Sequence, residues 1–336
     1  MSGAMAVVLP VLAAVGLMLL NGVVLIYMLR KVLGHLHLRI GPAHVGPKGI
    51  FQTTADVLKL LSKEDVRPEG VDRWLYVTAP VLVFAPSLMA YAAIPFSETL
   101  RITRLDTGLL FTFAALSLVP LGMIMAGWAS ANKWALIGAM RAAAQQIAYE
   151  VPLLLSVLPV VMIVGSLDLA DIVAFQTGML LGVVPRWFIV LLLPSFVIFL
   201  IAALCELNQT PFDMSEAESE LVAGFATEYS SMRFGLIFLA EFSNSFVMSA
   251  LAVTVFFGGW TLPFVPEAIT APIAPIIFVA KTYIGIFFLM WIRGTLPRVR
   301  IDQLMNLGWK WLIPTALAWV MIVGFVVKLV AGGGVV

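Results

Sequence analysis

The sequence comprises 336 residues, of which 61% are hydrophobic and 12% charged, and its mean hydropathy is +1.03. These values exclude an ordinary soluble domain and predict a polytopic membrane protein. The net charge of +1 argues against nucleic acid as a partner, and a single cysteine, Cys205, excludes an internal disulfide or a CxxC metal site. We therefore predict that no metal or prosthetic group is bound to this chain and that any redox centre lies on another chain.

Windows of about 20 apolar residues predict eight membrane-spanning helices. They cover residues 5–29, 75–96, 108–128, 146–165, 187–205, 236–258, 274–292 and 312–331. The first window is too long for a signal-peptide core and has no basic region before it, so it is predicted to be a retained span. The predicted fold class is an all-α polytopic membrane protein with about eight transmembrane helices, forming a single domain over residues 1–336.

Lysine and arginine are divided unevenly between the loops. One set of alternate loops holds fifteen of these residues, and the opposite side holds four. The positive-inside rule therefore predicts that loops 30–74, 129–145, 206–235 and 293–311 are cytoplasmic and that both termini lie on the outer, periplasmic side. Prolines at positions 80, 86, 152 and 159 fall within spans, where they are predicted to break or kink the helix.

The first cytoplasmic loop has two parts. Residues 39–49 are rich in glycine and proline, which predicts a fixed irregular backbone. In residues 50–63, Gln52, Asp56, Lys59 and Lys63 recur at helical spacing opposite apolar side chains. This pattern predicts an amphipathic helix along the membrane interface. Two roles remain open for it, a surface anchor or the lining of an entrance for a lipid-soluble molecule.

An acidic stretch, residues 205–241, lies between two apolar runs and contains a single base, Arg233. Because like charges close together disfavour each other's ionisation, some of its carboxyl groups are predicted to take up and release protons. The acids of the stretch are Glu206, Asp213, Glu216, Glu218, Glu220, Glu228 and Glu241.

Three ionisable residues fall inside predicted spans, namely Glu150, Glu241 and Lys281. Charges at such depth are expected to face protein or water. A helical face formed by Asp213, Glu216 and Glu220 would combine with Glu150, Glu206 and Glu241 into a hydrated acidic path. The alternatives are that the span carboxylates reach the membrane surface and that the loop is simply solvated. Against the second, apolar residues interleave the acids, which predicts partial burial.

Five motifs resemble one known family. They are RxGPxxVGPxGxxQ at residues 39–52, ADVLKLLSKED at 55–65, GWASANKWALIGAMRAAAQQIAYEVP at 127–152, TPFDMSEAESELVAGFATEYSS at 210–231 and WIRGTLPRVRIDQLM at 291–305. Together they are similar to membrane subunit 1 of NADH:quinone oxidoreductase, respiratory complex I. The resemblance covers nearly the whole chain and follows the order of the family's motifs.

The resemblance implies a subunit of a translocase at the joint between a redox arm and a proton-pumping arm. Proteins of this kind contribute to a quinone chamber and to a channel lined by carboxylates. Quinone would be the substrate, and FMN and iron–sulfur clusters would lie on partner subunits. The implied partners are the peripheral-arm subunits, the small and antiporter-like membrane subunits and the lipid bilayer. The implied location is the inner (plasma) membrane of a bacterium rather than a mitochondrion, and both ubiquinone and menaquinone fit the motifs.

The resemblance also assigns roles to individual residues. Lys281 matches an intramembrane lysine. The channel carboxylates match Glu150, Glu206, Asp213, Glu216, Glu218, Glu220, Glu228 and Glu241. The quinone-binding positions match Arg30, Arg39, Gln52, Asp56, Lys59, Phe212, Phe225, Arg293 and Arg298.

Two positions depart from the family's common pattern. Leu29 stands where a glutamate is usual, and Gln209 stands where an arginine is usual. If that acid and base neutralise each other in relatives, the loss of both leaves the local charge balanced. Two other functions remain open at this point. One is the corresponding membrane subunit of a membrane-bound hydrogenase or formate hydrogenlyase, and the other is a secondary transporter.

Overall fold

The protein is described by a computed structural model that covers residues 3–180, 184–215, 218–263, 265 and 270–332. Most of these residues are helical. The α-helices are α1 (Gly3–Leu36), α2 (Gln52–Ser62), α3 (Arg73–Ala93), α4 (Gly108–Leu116), α5 (Val119–Ala129), α6 (Lys133–Val164), α7 (Leu169–Phe175), α8 (Phe188–Leu191), α9 (Leu193–Glu206), α10 (Glu218–Leu221), α11 (Ser231–Phe256), α12 (Ala274–Thr295), α13 (Ile301–Asn306) and α14 (Ile313–Gly332). A two-residue antiparallel pairing joins β1 (Met179–Leu180) to β2 (Val184–Pro185).

Short helical turns of other types connect some of these elements. Three 3₁₀ turns cover Pro47–Gly49, Gly224–Ala226 and Ala271–Ile273, and a π-helical segment, Leu307–Leu312, joins α13 to α14. Within the described residues, seven helical segments are long and apolar enough to cross a membrane. They are Val8–Leu36, Arg73–Ala93, Gly108–Ala129, Lys133–Val164, Ser231–Phe256, Ala271–Thr295 and Ile301–Val330. The prediction of an all-helical membrane protein is therefore confirmed.

The fifth predicted span, residues 187–205, is not one continuous helix. The backbone leaves helical geometry at Leu192 (φ −124°, ψ 45°), which separates α8 from the 14-residue α9. Pro194 lies in the first turn of α9, and its ring nitrogen cannot donate the hydrogen bond that would continue the preceding helix. The hydropathy window merged the two pieces because both are apolar.

The fourth span is longer than its apolar core. Helix α6 begins at Lys133, after Asn132 accepts a hydrogen bond from the Trp134 amide at 2.9 Å, and it ends before Gly165. The loop predicted at residues 129–145 is therefore mostly helical, and its polar residues extend the helix beyond the apolar window. The prolines at 152 and 159 lie inside α6, and those at 80 and 86 lie inside α3, so none of the four ends its helix.

Helices α3, α5, α6, α9 and α11 pack side by side and form the centre of the bundle. Aromatic side chains fill this centre. For example, Tyr91 of α3 stacks on Phe246 of α11 with ring centroids 5.1 Å apart, and both residues are buried. Helices α1 and α12 pack against α11, and α2 contacts both α1 and α11. The acidic stretch thus begins at the end of one central helix and ends within another.

Lys281 of α12 fixes the loop that follows α11. Its Nζ donates hydrogen bonds to the carbonyl oxygens of Phe257, Gly259 and Thr261 at 2.8, 3.0 and 2.6 Å. The ammonium also lies 4.4 Å from the centroid of the Trp187 ring. Because all three ammonium protons have backbone carbonyl acceptors just after α11, the charge predicted within the membrane is satisfied by backbone dipoles.

Candidate functional site

The acidic stretch begins with irregular backbone. After Glu206 ends α9, Asp213 lies in non-helical backbone, and helix α10 covers only Glu218–Leu221. The predicted helical face that joined Asp213 to Glu220 is therefore wrong, because residues 213–215 are not part of the helix that holds Glu220. Glu216 lies outside the described residues, and of Glu218 only the backbone is described.

A small cavity lies where the stretch meets the central helices. Its volume is about 30 Å³, which is enough for one or two water molecules. Two predicted relay carboxylates, Glu206 and Glu241, line it. Its other lining residues are Val83, Val119, Met123, Gln146, Leu207, Asn208, Ser215, Phe225, Ile237 and Asn244. The site thus combines carboxylates, amides and one serine with apolar side chains.

Glu206 is the most enclosed of these carboxylates. Its residue is 9% exposed, and its Oε2 atom has no hydrogen-bond partner in the part of the chain that the structure describes. Gln146 holds the main chain beside it by donating a hydrogen bond to the Glu206 carbonyl oxygen at 3.2 Å. The carboxylate of Glu150, one turn further along α6, interacts electrostatically with Glu206. An ionised carboxylate without a base is strongly disfavoured in such a place.

Glu241 has a base as its partner. Its Oε1 lies 3.3 Å from Nη1 of Arg293 on α12, and each side chain is about one-fifth exposed. Asp213 also interacts electrostatically with Glu241. The two carboxylates and the guanidinium thus connect the acidic loop with α11 and α12.

Glu220 lies at the exposed rim of the stretch. Nη1 of Arg141 donates a hydrogen bond to it at 2.6 Å, and Nη2 of Arg298 lies 3.7 Å away. The hydrogen bond from Arg141 holds the pKa of Glu220 below its usual range, and the positive charges of Arg298 and Arg300 add to the effect. Bases from distant segments thus neutralise an acid that has none nearby in the sequence.

Glu228 belongs to a separate polar cluster. Nδ2 of Asn132 donates to its Oε1 at 2.7 Å, and the hydroxyl of Tyr76 donates to its main-chain carbonyl at 2.6 Å. The ring of Tyr76 stacks on Tyr229 with a centroid distance of 4.4 Å. The single base of the stretch, Arg233, pairs at 3.1 Å with Asp65, which lies outside the stretch.

The predicted amphipathic helix is confirmed as α2, Gln52–Ser62. Asp56 of α2 forms an ion pair and hydrogen bond with Arg30 of α1, and Gln52 donates to the same carboxylate at 3.3 Å. Leu58 and Leu61 are exposed, as expected for side chains directed towards lipid. Three predicted quinone-binding residues therefore lie together at the junction of α1 and α2.

The glycine- and proline-rich loop before α2 has a fixed shape. The Lys31 Nζ donates to the Pro42 carbonyl at 2.6 Å, and the Tyr27 hydroxyl donates to the Lys48 carbonyl at 3.0 Å. Gly49 has φ +76°, and a Cβ there would collide with the main chain of Pro42. The loop is thereby tied to the end of α1.

The remaining predicted quinone-binding residues do not share one surface. Arg39 and Lys59 are exposed, whereas Phe212 and Phe225 are buried in two different core clusters. Arg293 and Arg298 form the ion pairs described above. The described part of this chain thus brings Arg30, Gln52 and Asp56 together and leaves the two phenylalanines as core residues.

The comparisons with known proteins identify the family. A family model described as NADH dehydrogenase matches residues 9–324 of this chain. The chain belongs to the NADH dehydrogenase family. It is 47% identical over 303 residues to the H subunit of NADH-quinone oxidoreductase from Brevibacillus brevis, covering 90% of this chain and 88% of the relative.

Two further relatives carry the same description. The H subunit from Anoxybacillus flavithermus is 48% identical over 305 residues, which are 89% of this chain and 87% of the relative. That from Rhodospirillum centenum is 45% identical over 316 residues, which are 94% of this chain and 92% of the relative. These matches favour the first of the three functions left open by the sequence over the hydrogenase subunit and the transporter.

The sequence motifs of this NADH dehydrogenase family member did not single out the amides of the site. The side-chain oxygens of Gln145, Gln146, Asn208, Gln209 and Asn244 are buried and have no hydrogen-bond partner among the described residues. A signal was present in the paired glutamines, which stand in an apolar context just before Glu150. The bases that neutralise Glu220 and Glu241 carried no comparable signal, because they are distant in sequence.

Proposed function

We propose that this chain is the membrane subunit of a proton-translocating NADH:quinone oxidoreductase that couples quinone reduction to proton translocation. Its relatives' descriptions and the family match support this assignment. The chain would contribute to the quinone chamber and hold a line of carboxylates leading away from it. FMN and iron–sulfur clusters would lie on partner subunits and supply the electrons.

The environment of Glu206 is the observation that supports the proposed relay most directly. This carboxyl group is buried beside Glu150, lines a cavity shared with Glu241, and has an Oε2 atom unpartnered among the described residues. Groups placed in this way interact strongly, so a change of charge on one alters the protonation of the others. A structural ion-pair network would instead give each carboxylate a base.

The proposed coupling follows from charge balance. Reduction of a quinone by two electrons requires two protons, and it creates negative charge at the edge of the chamber until they arrive. Asp213 would respond first, because it lies on the loop and interacts with Glu241. The disturbance would then pass through Glu241, Glu206 and Glu150, which span α11, α9 and α6. Antiporter-like subunits beyond this chain would receive it.

The α1–α2 junction is the proposed entrance for quinone. Helix α2 presents exposed leucines on one side and holds Arg30, Gln52 and Asp56 together on the other. A quinone has a polar head and an apolar tail, so an amphipathic helix at the membrane surface could guide both parts. Peripheral-arm subunits would cover the cytoplasmic side, and the complex would reside in the inner membrane of a bacterium.

The test replaces single carboxylates in the intact complex and measures NADH-driven quinone reduction and proton pumping in membrane vesicles. Glu206→Gln should raise the activation free energy of quinone reduction and of proton pumping by about 0.5–2 kcal/mol. Both rates should then fall roughly 2- to 30-fold. Glu228→Gln should also slow quinone reduction, although glutamine can still accept the hydrogen bond from Asn132.

The matched control is Asp302→Asn, because Asp302 is 68% exposed and lies outside the acidic stretch. It should leave both rates unchanged. NADH oxidation with a soluble artificial acceptor, which bypasses quinone, should be normal in all three variants. Unchanged turnover and pumping in both Glu206→Gln and Glu228→Gln would overturn the relay.

A further inference from the structure

Two adjacent serines at the start of α11 hold the carboxyl end of α2. The hydroxyl of Ser231 donates a hydrogen bond shared between the carbonyl oxygens of Leu60 and Lys63, at 3.1 and 2.9 Å. The hydroxyl of Ser230 accepts a hydrogen bond from the Val66 amide at 3.1 Å and donates to the Val66 carbonyl at 3.2 Å. Together these contacts form a serine clasp between the two helices.

The clasp supplies a donor that the end of α2 requires. The last four carbonyl groups of an α-helix have no donor within the helix. Helix α2 ends at Ser62, and the Lys63 amide donates to the carbonyl of Lys59 at 3.0 Å. Ser231 supplies a donor for the next carbonyl, that of Leu60. The end of α2 is thus held on α11 by directional bonds.

The backbone of Ser231 indicates independently that its contacts fix its position. Its φ is +53°, in the left-handed region that residues with a side chain rarely adopt, and the residue is only 7% exposed. Such a conformation costs free energy and persists where the surrounding structure determines it. The hydroxyl of Ser231 is therefore aimed at α2 by a backbone that the sequence alone does not favour.

The clasp lies between the proposed quinone entrance and the centre of the bundle. At its other end, α2 carries Gln52 and Asp56, which belong to the α1–α2 junction. Beside the clasp, Arg233 of α11 pairs with Asp65 at 3.1 Å, and its guanidinium lies 5.1 Å from the centroid of the Tyr76 ring. The polar residues of the entrance are thus placed relative to a central helix by contacts at the far end of α2.

We propose that Ser230 and Ser231 are positioning residues for quinone binding, because they hold α2 in the orientation that admits quinone. The inference rests on the proposed entrance at the α1–α2 junction. Without the clasp, α2 spends part of its time in other orientations, and the apparent affinity for quinone falls with the fraction of competent molecules. The serines act through α2, so the steps after binding keep their rate.

This role and a purely structural role predict different kinetics. Loss of a positioning contact raises the KM for quinone and leaves kcat unchanged. A purely structural clasp would instead lower the amount of assembled complex without changing the KM of the complex that forms. Normalising each rate to NADH oxidation with a soluble artificial acceptor separates the two.

Three variants of the intact complex test the hydroxyl groups. Ser231→Gly removes one hydroxyl and suits the backbone, because glycine adopts a φ of +53° without strain. Ser230→Ala removes the other hydroxyl. Ser230→Thr keeps it, and the extended backbone of Ser230 (φ −129°, ψ 172°) suits a β-branched residue.

The matched control is Ser87→Ala. Ser87 is also a buried serine, but its hydroxyl donates at 3.1 Å to the carbonyl of Val83, one turn earlier in the same helix, α3. The control therefore loses a hydrogen bond of the same kind without releasing α2.

The first readout is NADH-driven quinone reduction over a range of quinone concentrations. The KM for quinone should rise about 2- to 12-fold in Ser231→Gly and in Ser230→Ala, the factor that corresponds to the loss of one hydrogen bond. The second readout is hydrogen exchange followed by mass spectrometry, in which residues 60–66 should exchange faster in these two variants. Ser230→Thr and Ser87→Ala should keep the wild-type KM and exchange rates.

Three results would overturn the proposal. The first is an unchanged KM in both Ser231→Gly and Ser230→Ala, whatever their exchange rates. The second is a higher KM without faster exchange of residues 60–66, because the serines would then act without releasing α2. The third is an equal rise of KM in Ser230→Thr and Ser230→Ala, because the hydroxyl would then not be the cause.

Asp56→Asn separates the clasp from the entrance. It removes the charge that pairs with Arg30 at the α1–α2 junction and should raise the KM if quinone enters there. If Asp56→Asn raises the KM and the two clasp variants do not, the entrance stands and the clasp is refuted. If only the clasp variants raise the KM, with faster exchange, the clasp positions α2 for quinone and the junction is refuted as the entrance.

Discussion

The ion pair between Glu241 and Arg293 offers a test that separates the structural role of a relay carboxylate from its functional role. The nearest atoms are 3.3 Å apart, and both side chains are less than one-quarter exposed. With an effective dielectric constant of about 20, two unit charges at this distance attract by about 5 kcal/mol. Loss of hydration offsets much of this attraction, so the expected coupling in a double-mutant cycle is about 1–3 kcal/mol.

The perturbations are Arg293→Gln, Glu241→Gln and the two combined. Arg293→Gln should be the most damaging single change, because it leaves Glu241 beside Asp213 without its base. Breaking a buried pair in this way costs about 3–5 kcal/mol. Glu241→Gln removes the charge that interacts unfavourably with Asp213, and the double variant removes both charges of the pair. The double variant should therefore assemble more stably than Arg293→Gln alone.

The assay has two readouts on the intact complex. The first is the rate constant of heat-induced dissociation, whose ratios among the four proteins give the coupling in activation free energy. Additive effects within about 0.3–0.5 kcal/mol would refute the pairing. The second is proton pumping driven by NADH and quinone, which should remain slow in the double variant because glutamine cannot change its charge. Pumping at the wild-type rate in that variant would refute the relay role of Glu241.

Two further predictions concern the rim and the departures from the family pattern. Because Arg141 lowers the pKa of Glu220, the stabilisation from this contact is complete above the ordinary glutamate pKa of about 4.3 and is lost as pH falls through the lower folded value. Hydrogen-exchange protection of residues 218–226 should therefore be higher in wild type than in Glu220→Gln at pH 6, and the two should converge only as pH falls below the lowered pKa of Glu220; a constant difference would contradict this. Gln209→Arg alone should impair assembly, because Gln209 is buried and donates to Ser245 at 2.7 Å, and Leu29→Glu should partly rescue it if the two positions pair. Two harmless single variants, scored by the amount of assembled complex, would argue against that pairing.

The sequence predicted the parts of the fold that depend on local composition. Hydropathy located α3, α11 and α12 within a few residues, and the spacing of Gln52, Asp56 and Lys59 located α2. Hydropathy gave wrong helix bounds where a helix is longer than the apolar window within it. The hydropathy window missed the first part of α6 because Lys133, Arg141 and Gln145 are polar, although all three belong to one helix.

The site was predicted only in part, because its ion pairs form between residues that are distant in the sequence. The sequence identified the acids, and it identified Arg233 as the single base among them. It could not show that Arg233 pairs with Asp65, or that Arg141 and Arg293 supply the positive charges for Glu220 and Glu241. Side chains that meet across 52 or 79 positions leave no periodic signal in one sequence.

The positions of these bases divide the acidic stretch into an outer and an inner part. Glu220 at the rim has two arginines within 4 Å, and Glu241 has one. Glu206, which is deeper, is paired with no base among the described residues and lines a cavity together with Gln146, Asn208 and Asn244. Fixed charges therefore neutralise Glu220 and Glu241, whereas Glu206 has no base beside it among the described residues and can be neutralised by an exchangeable proton. A carboxyl group whose partner can exchange is the one suited to transmit a change of charge from the loop to the helices beneath it.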